Sequence, residues 1–225
     1  MQLQLDLADW SPEQVDMLGT LLLKQQGVFS SDKWDIGHCT ALPFDIILKP
    51  DAKPCSARPY RYSPAMNKLI KIEVDRLLAA GIIRPSNSEY ASPVAVLKKD
   101  GTARITVNYR KLNSMTVVPQ MPLPHIEDML NSLGGSSVFT TMDITSGYFT
   151  SAIKEEAIPL TAMVTAFGLY EWLRCPQGAA GAPGHFTRLM AVILAGLERV
   201  HPFIDDVMAL AWPYLRMTAL VWSNL

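Results

Sequence analysis

Apolar residues recur at helical spacing over some stretches of this chain and alternate at strand spacing over others, and the two periods divide it into elements. The first predicted helix runs from Pro12 to Gln26: Ser11 suits the N-cap, Pro12 the first helical position, Gln14 completes a capping box, and Gly27 marks the stop. Val15, Leu18, Leu21 and Leu22 fall on one face of it. Residues 30–58 are irregular, with one predicted strand at Phe44–Leu48. A second helix is predicted from Pro64 to Ala80, capped by Ser63 and closed by Gly81, with Met66, Leu69, Ile70, Val74, Leu77 and Leu78 as its core stripe. Two strands, Pro93–Leu97 and Arg104–Asn108, follow, joined by Lys98-Lys99-Asp100-Gly101-Thr102, in which Asp-Gly signals a hairpin.

Further along, a short helix is predicted over His125–Leu133, stopped by Gly134-Gly135. A strand through Val138-Phe139-Thr140-Thr141-Met142-Asp143-Ile144 comes next, then a hairpin over Thr161–Leu173 that turns near Phe167-Gly168-Leu169. The last clear helix begins at Pro183 and carries Phe186, Leu189, Met190, Ile193, Leu194 and Leu197 inward. Helices mixed with antiparallel hairpins, without a strand–helix–strand rhythm, predict an α+β architecture.

Composition narrows this without changing it. At 225 residues and 49% hydrophobic, the chain can bury a core and form one or two subdomains. It has no run of apolar residues of membrane-spanning length and no basic-then-apolar leader, so neither a membrane span nor a signal peptide is expected. Cys39, Cys55 and Cys175 are far apart and odd in number, which predicts free thiols in a reducing compartment.

Charge changes the picture more. The formal net charge is −1, yet residues 53–111 carry 12 Lys+Arg against 4 Asp+Glu. Residues 1–52 carry 3 against 8, and residues 112–225 carry 5 against 9. A basic segment followed by an acidic one suits an enzyme that handles phosphates. For Lys68, Lys71 and Arg76 alone, a solvated helix face explains the charge as well.

The candidate chemistry lies in that acidic part. Asp205-Asp206 sits inside the apolar run Phe203-Ile204-Asp205-Asp206-Val207-Met208, and Asp143 sits in a matching apolar strand. Taken alone, Asp-Asp reads as a hairpin turn. A third carboxylate in a similar context alters that reading, because a carboxylate in such a segment needs a partner, a proton or a metal ion. Three carboxylates converging from two strands suit a pair of divalent cations that clamp an in-line phosphoryl displacement.

The motifs, in their order, resemble the reverse transcriptase of gypsy-type LTR retrotransposons, a relative of the retroviral enzyme. Phe203-Ile204-Asp205-Asp206 resembles the family's Tyr-x-Asp-Asp box, and Met142-Asp143-Ile144-Thr145-Ser146-Gly147-Tyr148 its Leu-Asp-Leu-x-Ser-Gly-Tyr box. Ala80-Gly81-Ile82-Ile83-Arg84-Pro85-Ser86, Ala91-Ser92-Pro93-Val94, Lys98-Lys99-Asp100-Gly101 and Asn108-Tyr109-Arg110-Lys111-Leu112-Asn113 match segments of the fingers. Pro122-Leu123-Pro124, Gly168-Leu169-Tyr170-Glu171-Trp172 and Phe186-x-Arg188-Leu189-Met190 match others, and the likeness spans roughly residues 28–210.

The resemblance implies a right-hand polymerase with an antiparallel palm sheet and flanking helices. The acidic lead-in would be residues 1–52, the fingers 53–117 and 151–182, and the palm 118–150 and 183–225, with the thumb absent. It implies an RNA-directed DNA polymerase core in which Asp143, Asp205 and Asp206 hold two Mg²⁺ ions, with Mn²⁺ as the alternative. Arg104 and one of Lys98 or Lys99 would grip the triphosphate, and the spacing does not choose between the lysines. Tyr148 would be the steric gate that selects deoxynucleotides, and Gln177 a contact at the nucleotide's sugar end. Implied partners are a primed RNA or DNA template, dNTPs and other polyprotein domains (RNase H, integrase, protease). The implied location is a cytoplasmic virus-like particle.

The chain departs from the family at Asn108, Thr150 and Gly181, where the family has Asp, Gln and Asn, and at His201-Pro202 ahead of the Asp pair. Pro202 cannot donate to a sheet ladder, which predicts a strained or re-aimed hairpin. Two other readings stay open. One is a truncated, catalytically weak or inactive nucleic-acid-binding remnant of a retrotransposon polyprotein. The other is a metal-dependent nuclease built on the same acids, although His38, His125, His185 and His201 show no clustering with them.

Overall fold

The computed structural model describes residues 6–211, apart from 9, 33, 100, 101, 120, 122–126, 128–130, 132, 133, 135, 137, 198, 199, 204 and 205. In chain order its elements begin with α1 (Pro12–Lys24), β1 (Cys39–Phe44), α2 (Pro64–Ala79), β2 (Ile83–Pro85), β3 (Ser92–Lys99), β4 (Thr102–Val107) and α3 (Arg110–Met115). They continue with β5 (Val138–Asp143), α4 (Gly147–Thr150), β6 (Ser151–Ile153), β7 (Met163–Thr165), β8 (Gly168–Trp172), α5 (Ala182–Ile193), β9 (Val200–Phe203) and β10 (Asp206–Ala211). The chain forms two compact units. One comprises Gly37–Gln120 and Tyr148–Phe186, the other Met1–Ile36, Met121–Gly147 and Thr187–Leu225.

The first unit is built on a five-stranded sheet in the order β2-β8-β7-β3-β4. The β3–β4 hairpin is longer than its apolar run predicts: pairing continues through Lys98↔Ala103 to Lys99↔Thr102, and Asp100 and Gly101 between them lie outside the described residues. The β7–β8 hairpin turns at Ala166-Phe167, directly before Gly168, whose φ of +144° glycine tolerates. Helix α2 packs on β2 and β4. Ser63 Oγ accepts from Met66 N–H at 3.3 Å to cap its start, and Gly81 at φ +64° closes it. Ile70, Val74 and Leu77 are buried, whereas Leu69, predicted to be core, is 43% exposed. Met66 and Leu78 are half-buried, so the fully buried stripe is narrower than hydrophobicity alone suggests.

Among the named strands of the described residues two pairings are parallel, which no local pattern signals. β3 and β7 pair parallel inside the mixed sheet, and β1 pairs parallel with β6 in a separate two-stranded sheet. The predicted strand over Phe44–Leu48 is corrected accordingly: the strand is Cys39–Phe44, registered through Cys39↔Ser151 and Phe44↔Ile153, and Leu48 makes only an isolated bridge to Thr116. Parallel partners lie far apart in sequence, so the deciding interaction is invisible in a short window.

In the second unit β5, β10 and β9 form an antiparallel sheet in that order. Pro202 lies within β9, registered to Val207. The ladder runs through it because β9 ends the order β5-β10-β9, and a missing donor is best tolerated on an edge strand. Helix α5, whose residues to Phe186 belong to the first unit and from Thr187 to the second, begins one residue earlier than predicted, buries Phe186, Leu189 and Met190, and is followed by buried Leu194. Both halves of the capping box on α1 form: Ser11 Oγ accepts from Gln14 N–H and Gln14 Oε1 from Ser11 N–H. α1 ends at Lys24, earlier than predicted, because the chain tightens into a 3₁₀ turn over Gln26–Val28 that contains Gly27. None of its residues is buried. The predicted helix over His125–Leu133 falls largely outside the described residues. Among the described residues no helix is long and apolar enough to cross a membrane, and the three cysteines are free.

Candidate functional site

Strand β5 ends on Asp143 and strand β10 starts on Asp206, and the antiparallel register makes these two residues direct partners. Alternation along β5 puts Asp143, Thr141 and Phe139 on one face, and all three are exposed. Val207, one residue on from Asp206, lies on the other face and is fully buried. The burial of Val207 thus fixes which way the acid-bearing face turns, since a one-residue slip would exchange the two. Phe203 pairs with Asp206 on the other side, and the residues between them, Ile204 and Asp205, lie outside the described residues.

Like charges placed directly opposite in an antiparallel pair repel. Among the described residues neither Asp143 nor Asp206 has a hydrogen-bond or ion-pair partner to offset this. Carboxylate oxygens are hard donors, and two of them on paired residues suit a hard divalent cation. Among the described residues no group of three His, Cys, Asp or Glu side chains gathers as a metal site, so Asp143 and Asp206 are the two of the three predicted acids that are seen together.

Directly after Asp143 the chain turns. Gly147 N–H donates to Ile144 C=O at 3.1 Å, and Ser146 takes a left-handed backbone, φ +52°. A non-glycine residue there holds local strain of about 1–3 kcal/mol, a feature that concentrates at functional sites. Helix α4 follows at once and carries Tyr148 and Phe149. The Tyr148 ring lies 5.3 Å from that of Phe186 at 47°, and Phe149 stacks on Trp172 at 5.2 Å and 19°.

Lys98, Lys99 and Arg104 all lie on the β3–β4 hairpin, with Lys98 paired to Ala103, Lys99 to Thr102 and Arg104 to Leu97. Gln177 is half-buried on a loop between buried Pro176 and exposed Gly178. Gly178 has φ +95°, and a Cβ there would stand 3.2 Å from the Val107 carbonyl oxygen, so both backbone and space demand glycine. Asn113 from α3 holds this loop at two points. Its Nδ2 donates to Gly178 C=O, and its Oδ1 accepts from Ala180 N–H, each at 3.0 Å. Sequence reading placed Asn113 in a motif without assigning it this role, and the only available signal was its place after Leu112 in that motif.

Beneath the loop the packing is tight and neutral. Burial pushes the Cys175 thiol far up, so it stays protonated. Tyr109 is buried, and burial also raises its phenol well above the usual range. Its hydroxyl donates to Thr161 C=O at 2.7 Å, while Thr161 Oγ1 accepts from Trp172 N–H at 2.9 Å. Asn108, where the motif has Asp, donates through Nδ2 to Tyr60 Oη and accepts from Arg110 N–H through Oδ1. The substitution therefore keeps the acceptor that a carboxylate would provide to the start of α3.

Residues 96–212 match the family model described as reverse transcriptase (RNA-dependent DNA polymerase). The chain is 38% identical over 180 residues to the retrovirus-related Pol polyprotein from transposon opus of Drosophila melanogaster, an alignment covering 76% of this chain and 18% of the relative. It is 34% identical over 183 residues to the corresponding polyprotein from transposon gypsy of the same organism, covering 74% and 18%. The chain thus spans about a fifth of the length of these curated relatives. Its fold matches the foamy viral protease-reverse transcriptase in complex with RNA/DNA hybrid, with a TM-score of 0.85 at 21% identity, over 96% of this chain and 30% of that one.

Proposed function

The chain belongs to the reverse transcriptase (RNA-dependent DNA polymerase) family, and from this we propose that it is the fingers and palm of an RNA-directed DNA polymerase. The unit holding the five-stranded sheet corresponds in this reading to the fingers, and the unit holding β5, β9 and β10 to the palm. The observation that carries the reading is the direct pairing of Asp143 with Asp206 at one end of the palm ladder.

In the reaction the primer 3′-hydroxyl attacks the α-phosphorus of a dNTP. A new phosphodiester bond forms, the bond from the α-phosphorus to the oxygen bridging the α- and β-phosphates breaks, the hydroxyl proton passes to solvent, and pyrophosphate leaves. Asp143, Asp206 and Asp205 would hold two Mg²⁺ ions, or Mn²⁺, which when bound supply charge stabilisation to the attacking and leaving oxygens. Lys98 or Lys99, with Arg104, binds the triphosphate through charge-assisted contacts. Tyr148 occupies the space a 2′-hydroxyl would need, and Gln177, on the loop that Asn113 holds, meets the sugar end of the nucleotide.

The partners follow: a primed RNA or DNA template, dNTPs, and the further domains of a polyprotein. The foamy viral structure with its RNA/DNA hybrid supports the first of these. A cytoplasmic virus-like particle is the location that fits a retrotransposon polyprotein.

The test is extension of an oligo(dT) primer on poly(rA) by the full chain. Mg²⁺-dependent incorporation of dTMP supports the reading. Template binding without any extension in Mg²⁺ or Mn²⁺ removes it in favour of a binding remnant.

A further inference from the structure

Helix α4 has only four residues, Gly147–Thr150, so its own hydrogen bonds cannot hold Tyr148 in a defined place. Two ring contacts add restraint. Successive helical residues point about 100° apart, so Tyr148 and Phe149 diverge from the helix axis in different directions. Each meets a buried aromatic. Tyr148 lies 5.3 Å from Phe186, which is 1% exposed at the start of α5. Phe149 stacks 5.2 Å from Trp172, which is 4% exposed at the end of β8. Both outer rings are fixed from behind. Trp172 is registered to Ile83 on β2 and donates its backbone N–H to Thr161 Oγ1, and Phe186 is followed along α5 by buried Leu189 and Met190.

We propose that Phe186 and Trp172 are positioning residues for sugar selection, acting through a two-sided aromatic clamp on α4 that fixes the ring of Tyr148. This deepens the polymerase reading and rests on it. A steric wall rejects a 2′-hydroxyl only as far as the wall cannot recoil, and the rejected group is a single oxygen atom. A displacement of about an ångström at such a site decides the outcome. The clamp supplies resistance from two directions, along the Tyr148–Phe186 contact and through the Phe149–Trp172 stack. Phe149 thereby acquires a role although it faces away from Tyr148: it prevents α4 from rolling about its axis. Trp172 belongs to the sheet and Phe186 to a long helix, so both lean on elements far more rigid than the one they steady.

The experiment compares kcat/KM for dTTP and for UTP on primed poly(rA), with the full chain and four variants. Phe186→Leu and Phe149→Leu each remove one ring contact and are expected to lower the dTTP preference roughly 2- to 10-fold, the value of an aromatic pair. The loss comes mainly from faster use of UTP. Trp172→Phe keeps a stacking ring and retains the parent preference. Tyr148→Ala lowers the preference further than any of these. A dTTP preference unchanged in both Leu variants, with Tyr148→Ala clearly reduced, overturns the clamp and leaves the gate. A preference unchanged in Tyr148→Ala overturns the gate itself. Should Phe186→Leu fail to fold, Phe149→Leu decides the matter, because its site is only half-buried.

Discussion

Asp143 and Asp206 face each other as direct partners across β5 and β10, two acids at one end of a ladder whose opposite face carries buried Val207. Without a cation the pair is mutually repulsive, so neutralising one member should not harm the fold. Asp206→Asn is expected to leave thermal stability in EDTA unchanged or raised, by about 0.2–1 kcal/mol. Mg²⁺ is expected to raise the melting temperature of the parent and to leave that of the variant unchanged. Thermal denaturation with EDTA and with Mg²⁺ reads both effects. A strong destabilisation in EDTA would show that Asp206 makes a structural contact instead.

The loop carrying Gln177 depends on Gly178 and Asn113. Gly178→Ala forces a Cβ into a left-handed position 3.2 Å from a carbonyl oxygen and is expected to lose about 1–3 kcal/mol. Asn113→Ala removes two hydrogen bonds, worth about 0.5–1.5 kcal/mol each. Urea midpoints measure both losses. Because the loop carries Gln177, the KM for dNTP rises in Asn113→Ala with less change in kcat.

Burial raises both Tyr109 and Cys175, so each is neutral in the fold at a pH where the unfolded chain has begun to ionise. Stability from these groups is fully present below their unfolded pKa values and is lost as pH rises through them toward the folded values. The loss sets in near the ordinary thiol range and steepens above about 10, the unfolded phenol value. Tyr109→Phe removes the second part. It also leaves Thr161 C=O without its donor, which lowers stability at neutral pH by about 1–3 kcal/mol. Urea unfolding at pH 7, 9 and 10.5 separates the two effects.

The three thiols are predicted to label in a fixed order. Cys39 is half-buried and reacts with a thiol reagent first. Cys55 follows, because burial pushes its thiol up and leaves less of the nucleophilic thiolate. Cys175, buried and pushed much further, reacts only on unfolding. Mass spectrometry of a labelling time course shows the order, and early modification of Cys175 would contradict the packing beneath the Gln177 loop.

The parts of this structure that were legible in the sequence are those whose cause is local. Ser11 with Gln14, and Ser63 with Met66, form the expected caps, since the donors and acceptors lie within one turn. The strand with Asp143 and its counterpart with Asp206 were legible as apolar runs interrupted by acids. The parts that were not legible depend on distant partners. The first strand shifted to Cys39–Phe44 because β6, far along the chain, sets its register. Leu69 proved exposed because the sheet meets α2 over a narrow stripe. Pro202 was expected to distort its hairpin; the ladder pairs through it on an end strand, while the connecting residues Ile204 and Asp205 lie outside the described residues. The role of Asn113 needed the loop at Gly178, which approaches only in the folded chain.

The central claim is that the paired acids are the metal-dependent centre of a DNA polymerase. Its most direct test is single-nucleotide addition of dTMP to oligo(dT) on poly(rA) in Mg²⁺, comparing the parent with Asp143→Asn and Asp206→Asn after both variants have been shown to be as stable as the parent. The parent is expected to add dTMP and each variant to lose at least about 100-fold, the scale on which misplaced catalytic groups act. Addition by either variant at the parent's rate would contradict it.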